Sequence, residues 1–301
     1  MQNQFRFHLL FNLIKHLPKK FQVKYDELVQ PFFVIGSGRN GSTMLNLMLN
    51  QHSQLHLPSE QYFLGPSILK FHYYNYGLWR DMVKVILGEL LPQSGSHTWE
   101  VTEMPDMQKL YMATPDKKKL QYLIDVIYRS GYEAPIWGDT TPLNTYYIKE
   151  IYHTFPKARY LFLIRDGRDV VASYKKGGYE VLGDLAVPSN GAAHWNHSIT
   201  KYDWLKRRTN VHLVQYEKLV MNPKEELASV CEFLGLEFEK QMLSFHSKVP
   251  NREMYDLPVH QNLKKEVFTS SIGSYLKELD SGDLDKVMPI LSMGLERFGY
   301  L

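Results

Sequence analysis

Three short apolar runs constrain this chain more than any other feature of it. Residues 31–36 (PFFVIG), 158–164 (ARYLFLI) and 211–215 (VHLVQ) each read as a buried strand, and a helical pattern follows each one. A strand that is apolar along its length, rather than at every second residue, is covered on both faces. That is the situation of a parallel sheet packed between layers of helices. A shorter fourth strand is expected at 54–57, and helices at 43–50 and 169–175. The helix after the third run has clear punctuation: Asn222 to cap it, Pro223 in its first turn, Glu225 and Glu226 at its positive end, and Gly235 to stop it. Leu227, Val230, Cys231 and Leu234 share one face of that helix, so Cys231 reads as a core residue. A last helical pattern spans 284–298, with a kink expected at Pro289.

Composition narrows the class. A 44% hydrophobic, 22% charged chain is an ordinary globular protein, which excludes wholesale disorder. Lys and Arg number 35 against 32 Asp and Glu, so the net charge is +3; this is too balanced for a nucleic-acid-wrapping protein but compatible with one local basic pocket. The single cysteine excludes an intrachain disulfide and a multi-cysteine zinc site. Residues 1–30 read as an amphipathic helical extension, with Leu9, Leu10, Leu13, Ile14 and Leu17 on one face, and residues 31–301 as a single domain. No apolar run reaches the ~18–20 residues of a membrane span, and no small-residue cleavage site follows the first segment. The expectation is a cytoplasmic protein, the alternative being a Golgi-luminal domain without its membrane anchor.

The sharpest local signal is the passage from strand to helix at 32–50 (FFVIGSGRNGSTMLNLMLN). A glycine-rich turn that opens a helix aims backbone N–H groups at an anion. Three readings compete for it. Gly36 and Gly41 have Walker A spacing, but Ser42 stands where that motif has its lysine, which argues against nucleoside triphosphate hydrolysis. Gly36, Gly38 and Gly41 satisfy GxGxxG, and Glu60 lies 19 residues beyond Gly41, near a ribose-binding acid, so an NAD(P)-dependent oxidoreductase is a rival. The third reading uses Arg39 as a fixed charge, with Gly41, Ser42 and Thr43 supplying N–H groups and hydroxyls.

Here the chain resembles a known family. Arg39-Asn40-Gly41-Ser42-Thr43 is similar to the 5′-phosphosulfate loop of sulfotransferases that use 3′-phosphoadenosine 5′-phosphosulfate (PAPS), in the branch of bacterial, glycan and protein sulfotransferases. Residues 160–173 (YLFLIRDGRDVVAS) resemble that family's 3′-phosphate motif, with Arg165 and Ser173 in the binding positions. Two such motifs in this order, roughly 120 residues apart, carry the resemblance. Residues 211–237 look like the strand and helix that place a tyrosine, here Tyr216, near adenine. Residues 271–279 (SIGSYLKEL) look like the segment that closes over the nucleotide. Gly273 matches there, Tyr275 replaces the usual tryptophan, and Lys264 is a nearby candidate for the 3′-phosphate.

The resemblance implies a P-loop-like three-layer α/β fold with a mainly parallel central sheet. It implies PAPS as sulfo donor, adenosine 3′,5′-diphosphate (PAP) as product, and no required metal. Arg39 would stabilise the leaving phosphate, and Glu60 would be the base that takes the proton of an acceptor hydroxyl; His52, His56, His72 and His97 are the other bases available. Relatives carry a lysine where Thr140 stands in Gly138-Asp139-Thr140-Thr141-Pro142, which leaves the charge to Arg39. Asp139, Thr141, Tyr62 and Phe63 are expected along the acceptor site, the last two within an aromatic-rich stretch at 62–79. A loop beginning near 180 is expected to cover it. Small-molecule, glycan, lipid and peptidyl hydroxyls are all open as acceptors; neither nucleic acid nor an integral membrane span is expected. A non-catalytic nucleotide-binding module is the remaining alternative.

Overall fold

The sheet has five strands, all parallel, in the order β2-β3-β1-β4-β5. They are β1 (Phe32–Ile35), β2 (Leu55–His56), β3 (Ile136–Asp139), β4 (Arg159–Ile164) and β5 (Val211–Gln215). The computed structural model describes residues 18–25, 30–60, 62–90, 105–130, 134–178, 182–249, 263 and 269–301. Successive side chains of β1 go to opposite faces, as the two-residue period of a strand requires. Phe33 and Ile35 join Tyr160, Phe162, Trp137 and Trp195 in one core; Phe32 and Val34 join Leu161, Leu163, Leu45 and Cys231 in the other. Helices cover both faces, which is why these runs carry no polar alternation. Cys231 is fully buried, and burial pushes its thiol up to about 11.

The helices that bear on function are α1 (Ser42–Leu49), α2 (Gly167–Gly177), α3 (Pro188–Lys206), α4 (Pro223–Leu234) and α5 (Ser281–Arg297). Helix α4 starts and stops as its punctuation requires, ending on Gly235 at φ 71°, although Asn222 makes no side-chain cap bond. Helix α5 begins three residues before the expected start, at a capping box between Asp280 and Asp283, and runs through Pro289. The loop expected at the start of 180–198 gives way to helix at Pro188, which stands in the first turn of α3, where its missing N–H costs nothing. Strand β3 went unforeseen, since its apolar run is only Ile136-Trp137 before Gly138. A Cβ on that glycine would lie 2.3 Å from the Phe32 ring, so packing demands the residue that hides the strand.

The helix expected around Leu9–Leu17 lies outside the described residues. The segment that follows it packs on the domain: Phe21 meets Trp79 edge-on at 5.1 Å, and its N–H donates to Asn75 Oδ1 at 2.7 Å. Among the described residues no helix is long and apolar enough to cross a membrane.

Candidate active site

Strand β1 lies between β3 and β4, so the loops leaving these three strands meet at one edge of the sheet. An open α/β sheet forms its ligand crevice at such a switch in strand order. The loop after β1 is tied down at its start. Thr145 Oγ1 contacts both the N–H and the carbonyl of Gly36 at 2.9 Å, and Asn40 Nδ2 donates to Leu163 O at 2.7 Å. The Asn40 Nδ2 is thus committed to β4, which anchors the loop. Arg39 takes a left-handed φ of 52°, alone in this among the described non-glycine residues. Its half-buried side chain donates from Nε to Ser173 Oγ at 3.0 Å, and its carbonyl accepts from Arg165 Nη1 at 3.3 Å. The two sequence motifs are therefore in direct contact.

Burial pushes the Arg39 guanidinium below its usual range; Tyr174 and Glu60 oppose this, while the nearby charge of Arg165 adds to it. Ser42 opens α1, which has no side-chain cap, and Thr43 follows it half-buried. Gly41 has φ 95°, and a Cβ there would stand 2.5 Å from the Tyr216 ring. Gly41→Ala therefore strains the loop and displaces Tyr216. A left-handed alanine costs about 1–2 kcal/mol, and 1.4 kcal/mol is about tenfold in affinity. We expect nucleotide affinity by calorimetry to fall about tenfold or more, with a melting temperature lower by only a few degrees. Wild-type affinity would remove Gly41 and Tyr216 from the nucleotide site.

Arg165, at the end of β4, is buried. Its Nη2 donates to Ser271 O at 2.5 Å and stands 3.5 Å from Asp169, and its guanidinium lies 4.7 Å from the centre of the Tyr216 ring. Its Nε is buried with no hydrogen-bond partner among the described residues. Tyr216 OH shares a 2.7 Å hydrogen bond with Ser271 Oγ. Asp169 accepts from Gly273 N, Ser274 Oγ and Tyr275 N at 2.9–3.1 Å, and so holds the late segment against α2. Gly273 is in this way brought to the site, and Ser271 joins it as a residue whose role the sequence did not signal. Arg168 serves structure instead: it pairs with Asp166 at 2.7 Å, donates to Tyr300 O at 2.8 Å and lies 4.3 Å from the Tyr275 ring centre. Lys264 lies outside the described residues.

Glu60 is delivered by α1. Asn46 Nδ2 donates to Pro58 O at 2.9 Å and to Thr140 Oγ1 at 3.0 Å, while Asn50 brackets Leu57 through its N–H at 2.8 Å and its carbonyl at 2.5 Å. These asparagines, four apart on one helix face, pin the segment that carries Glu60. Tyr62 OH donates to Glu60 Oε2 at 2.5 Å. Burial raises the Glu60 pKa above the ordinary carboxylate range; Tyr62 and Arg39 pull it back, and Asp139 pushes it up.

Asp139 and Thr141 lie under this site, at 1% and 0% exposure. Asp139 accepts from Tyr128 OH and from Thr141 N, and burial raises its pKa too. Thr140, in the position of the family lysine, is buried on Asn46. Phe63 is corrected from acceptor wall to core: it is fully buried against Tyr128, and Phe71 and Trp79 are buried as well. Tyr62 stays half-buried beside Glu60.

Of the histidines, His52 is held by Glu237 O at 2.9 Å and Gln54 N at 3.1 Å, His56 is buried in β2, and His72 sits by Lys19 at 3.4 Å. His97 lies outside the described residues. Among the described residues, His194 on α3 reaches the loop, its Nε2 2.8 Å from Ser37 O. Nothing in its local sequence marks it; only the packing of α3 against α2 does.

The model of the Sulfotransferase family matches residues 31–240. A putative protein-tyrosine sulfotransferase of Caenorhabditis briggsae is 23% identical over 273 residues, covering 88% of this chain and 88% of the relative. A protein-tyrosine sulfotransferase of Drosophila melanogaster is 25% identical over 223 residues, which is 73% of this chain but only 40% of that longer protein. Among solved structures, the sulfotransferase domain of the Synechococcus PCC 7002 olefin synthase aligns with a TM-score of 0.58 at 18% identity, covering 91% of this chain and 98% of that one. At that identity the likeness speaks for the fold.

Proposed function

The chain belongs to the sulfotransferase family, and we propose that it moves the sulfo group of PAPS to an acceptor hydroxyl with Glu60 as base. The observation that carries this reading is the contact of Arg39 with Ser173, 134 residues apart in sequence, beside a buried Arg165 whose Nε has no partner among the described residues. The charge of Arg165 disfavours that of Arg39, and an anionic ligand bound by both would offset this. The residues fit PAPS. Arg39, Ser42, Thr43 and the N–H groups that open α1 would hold its 5′-phosphosulfate. Arg165 and Ser173 would take the 3′-phosphate, and Tyr216 would flank the adenine. When bound, PAPS supplies the sulfo group and a phosphate leaving group.

The protein does the rest by positioning and charge, as in phosphoryl transfer. Glu60 takes the proton of the acceptor O–H, the acceptor oxygen bonds to sulfur, and the bond from sulfur to the 5′-phosphate oxygen breaks. Arg39 meets the charge that builds on that oxygen, a task no lysine at position 140 shares. Adenosine 3′,5′-diphosphate leaves as product. The dinucleotide reading of the same glycines gives Arg165 and Ser173 no task.

Calorimetry against adenosine 3′,5′-diphosphate, NAD and ATP separates these readings. Binding of the first alone, without magnesium, is expected, and selective binding of NAD would overturn the proposal. A sulfo mass shift on one member of a panel of tyrosine peptides, glycans, phenols and lipid alcohols then identifies the acceptor. No shift on any member, with the nucleotide bound, would favour a nucleotide-binding module.

A further inference from the structure

The first half of the phosphate loop is gripped by a set of side chains that the transfer chemistry does not use. The Ser37 carbonyl accepts two side-chain hydrogen bonds, one from Tyr174 OH on α2 and one from His194 Nε2 on α3, the latter at 2.8 Å. A carbonyl oxygen is only an acceptor, so His194 Nε2 carries the hydrogen. In the neutral ring Nδ1 is then an acceptor. Tyr146 OH meets that Nδ1 and donates to it, which sets the tautomer. The Tyr146 ring stacks on His197 at 5.2 Å, and Tyr146 directly follows Thr145, which clasps Gly36. Burial lowers the His194 pKa and favours the neutral form this chain of bonds needs.

The location gives these bonds a consequence. After Ser37 the backbone turns left-handed at Gly38 (φ 73°), Arg39 (φ 52°) and again at Gly41 (φ 95°). Turns of this kind make an anion nest only while the N–H groups face the ligand and the carbonyls face away. Rotation of the peptide between Ser37 and Gly38 would exchange the two, putting a carbonyl dipole where an anion binds. We propose that His194, together with Tyr174, is a positioning residue of the phosphate loop: it holds the Ser37 carbonyl against the protein, so that the anion site beyond it is lined by donors. The inference rests on the nucleotide reading above and adds a residue to it.

The test compares adenosine 3′,5′-diphosphate, which fills both phosphate sites, with adenosine 3′-monophosphate, which leaves the loop empty. His194→Ala is expected to weaken the diphosphate by about three- to tenfold, the worth of one hydrogen bond, and to leave the 3′-monophosphate unchanged. His194→Gln, whose amide can donate to the same carbonyl, is expected to restore most of the loss. A merely structural histidine would instead weaken both ligands equally. That result, or no change in either, would overturn the proposal. If the alanine variant does not fold, His194→Phe keeps the volume without the donor and runs the same comparison. A wild-type protein that binds neither nucleotide removes the donor reading, and this inference with it; a wild type that binds both while the variants match it removes the inference alone.

Discussion

Glu60→Gln is expected to lower sulfo transfer by about 10²–10⁴-fold, the range for a lost general base. Glutamine keeps the size and one acceptor oxygen for Tyr62 but takes no proton at neutral pH. Nucleotide affinity is expected to hold if Glu60 acts on the acceptor as proposed. The pH profile supplies a second readout. The raised pKa of Glu60 comes first from burial, against the opposing hydrogen bond of Tyr62 and the charge of Arg39. The base is active when deprotonated, so wild-type turnover should fall as pH drops through that raised value, at a higher pH than an ordinary carboxylate would set. In the glutamine variant this acid limb should vanish from the residual rate. Near-normal turnover in the variant ends the assignment. An intact rate with weakened nucleotide binding would instead favour Glu60 as a ribose ligand.

The second large effect is expected at Arg165. Loss of a charge-assisted hydrogen bond costs about 1.5–3 kcal/mol, or about 10- to 150-fold in affinity. Arg165→Ala should therefore weaken adenosine 3′,5′-diphosphate by that factor and adenosine 5′-monophosphate far less. Ser173→Ala should show the same selectivity with a smaller loss, since its hydroxyl is neutral. The structure sharpens the comparison, because Arg165 also ties together Arg39 O, Ser271 O and Asp169. Asp169 keeps three donors from the late segment when the guanidinium goes, so the fold should survive the substitution. Equal losses for both nucleotides would make Arg165 a brace for the loop rather than a ligand of the 3′-phosphate.

What was legible in the sequence was local. The runs that became β1, β4 and β5 are covered on both faces, so their unbroken apolar character survives as a signal. The phosphate loop and the arginine–serine motif each span a strand end and the helix that follows, which fixes their backbone within about 15 residues. Helix α4 was readable to within a residue because Pro223 and Gly235 act through their own backbone preferences. The rest required the fold. Strand β3 reads as no strand because Gly138 serves the Phe32 ring of another strand. Phe63 and Tyr62 are neighbouring aromatic residues, yet one lies in the core and the other beside Glu60, since the entry to the helix that follows turns them to different faces. The anchoring of Asn40 on Leu163, the pairing of Thr140 with Asn46 and the hold of His194 on Ser37 each join residues more than 90 apart. Contacts of that kind leave no local periodicity, because the chain at either end obeys only its own helix or strand. They exist once the order β2-β3-β1-β4-β5 brings the loops to one edge, and at that edge the tertiary structure decides which side chains face an anion and which hold the backbone behind it.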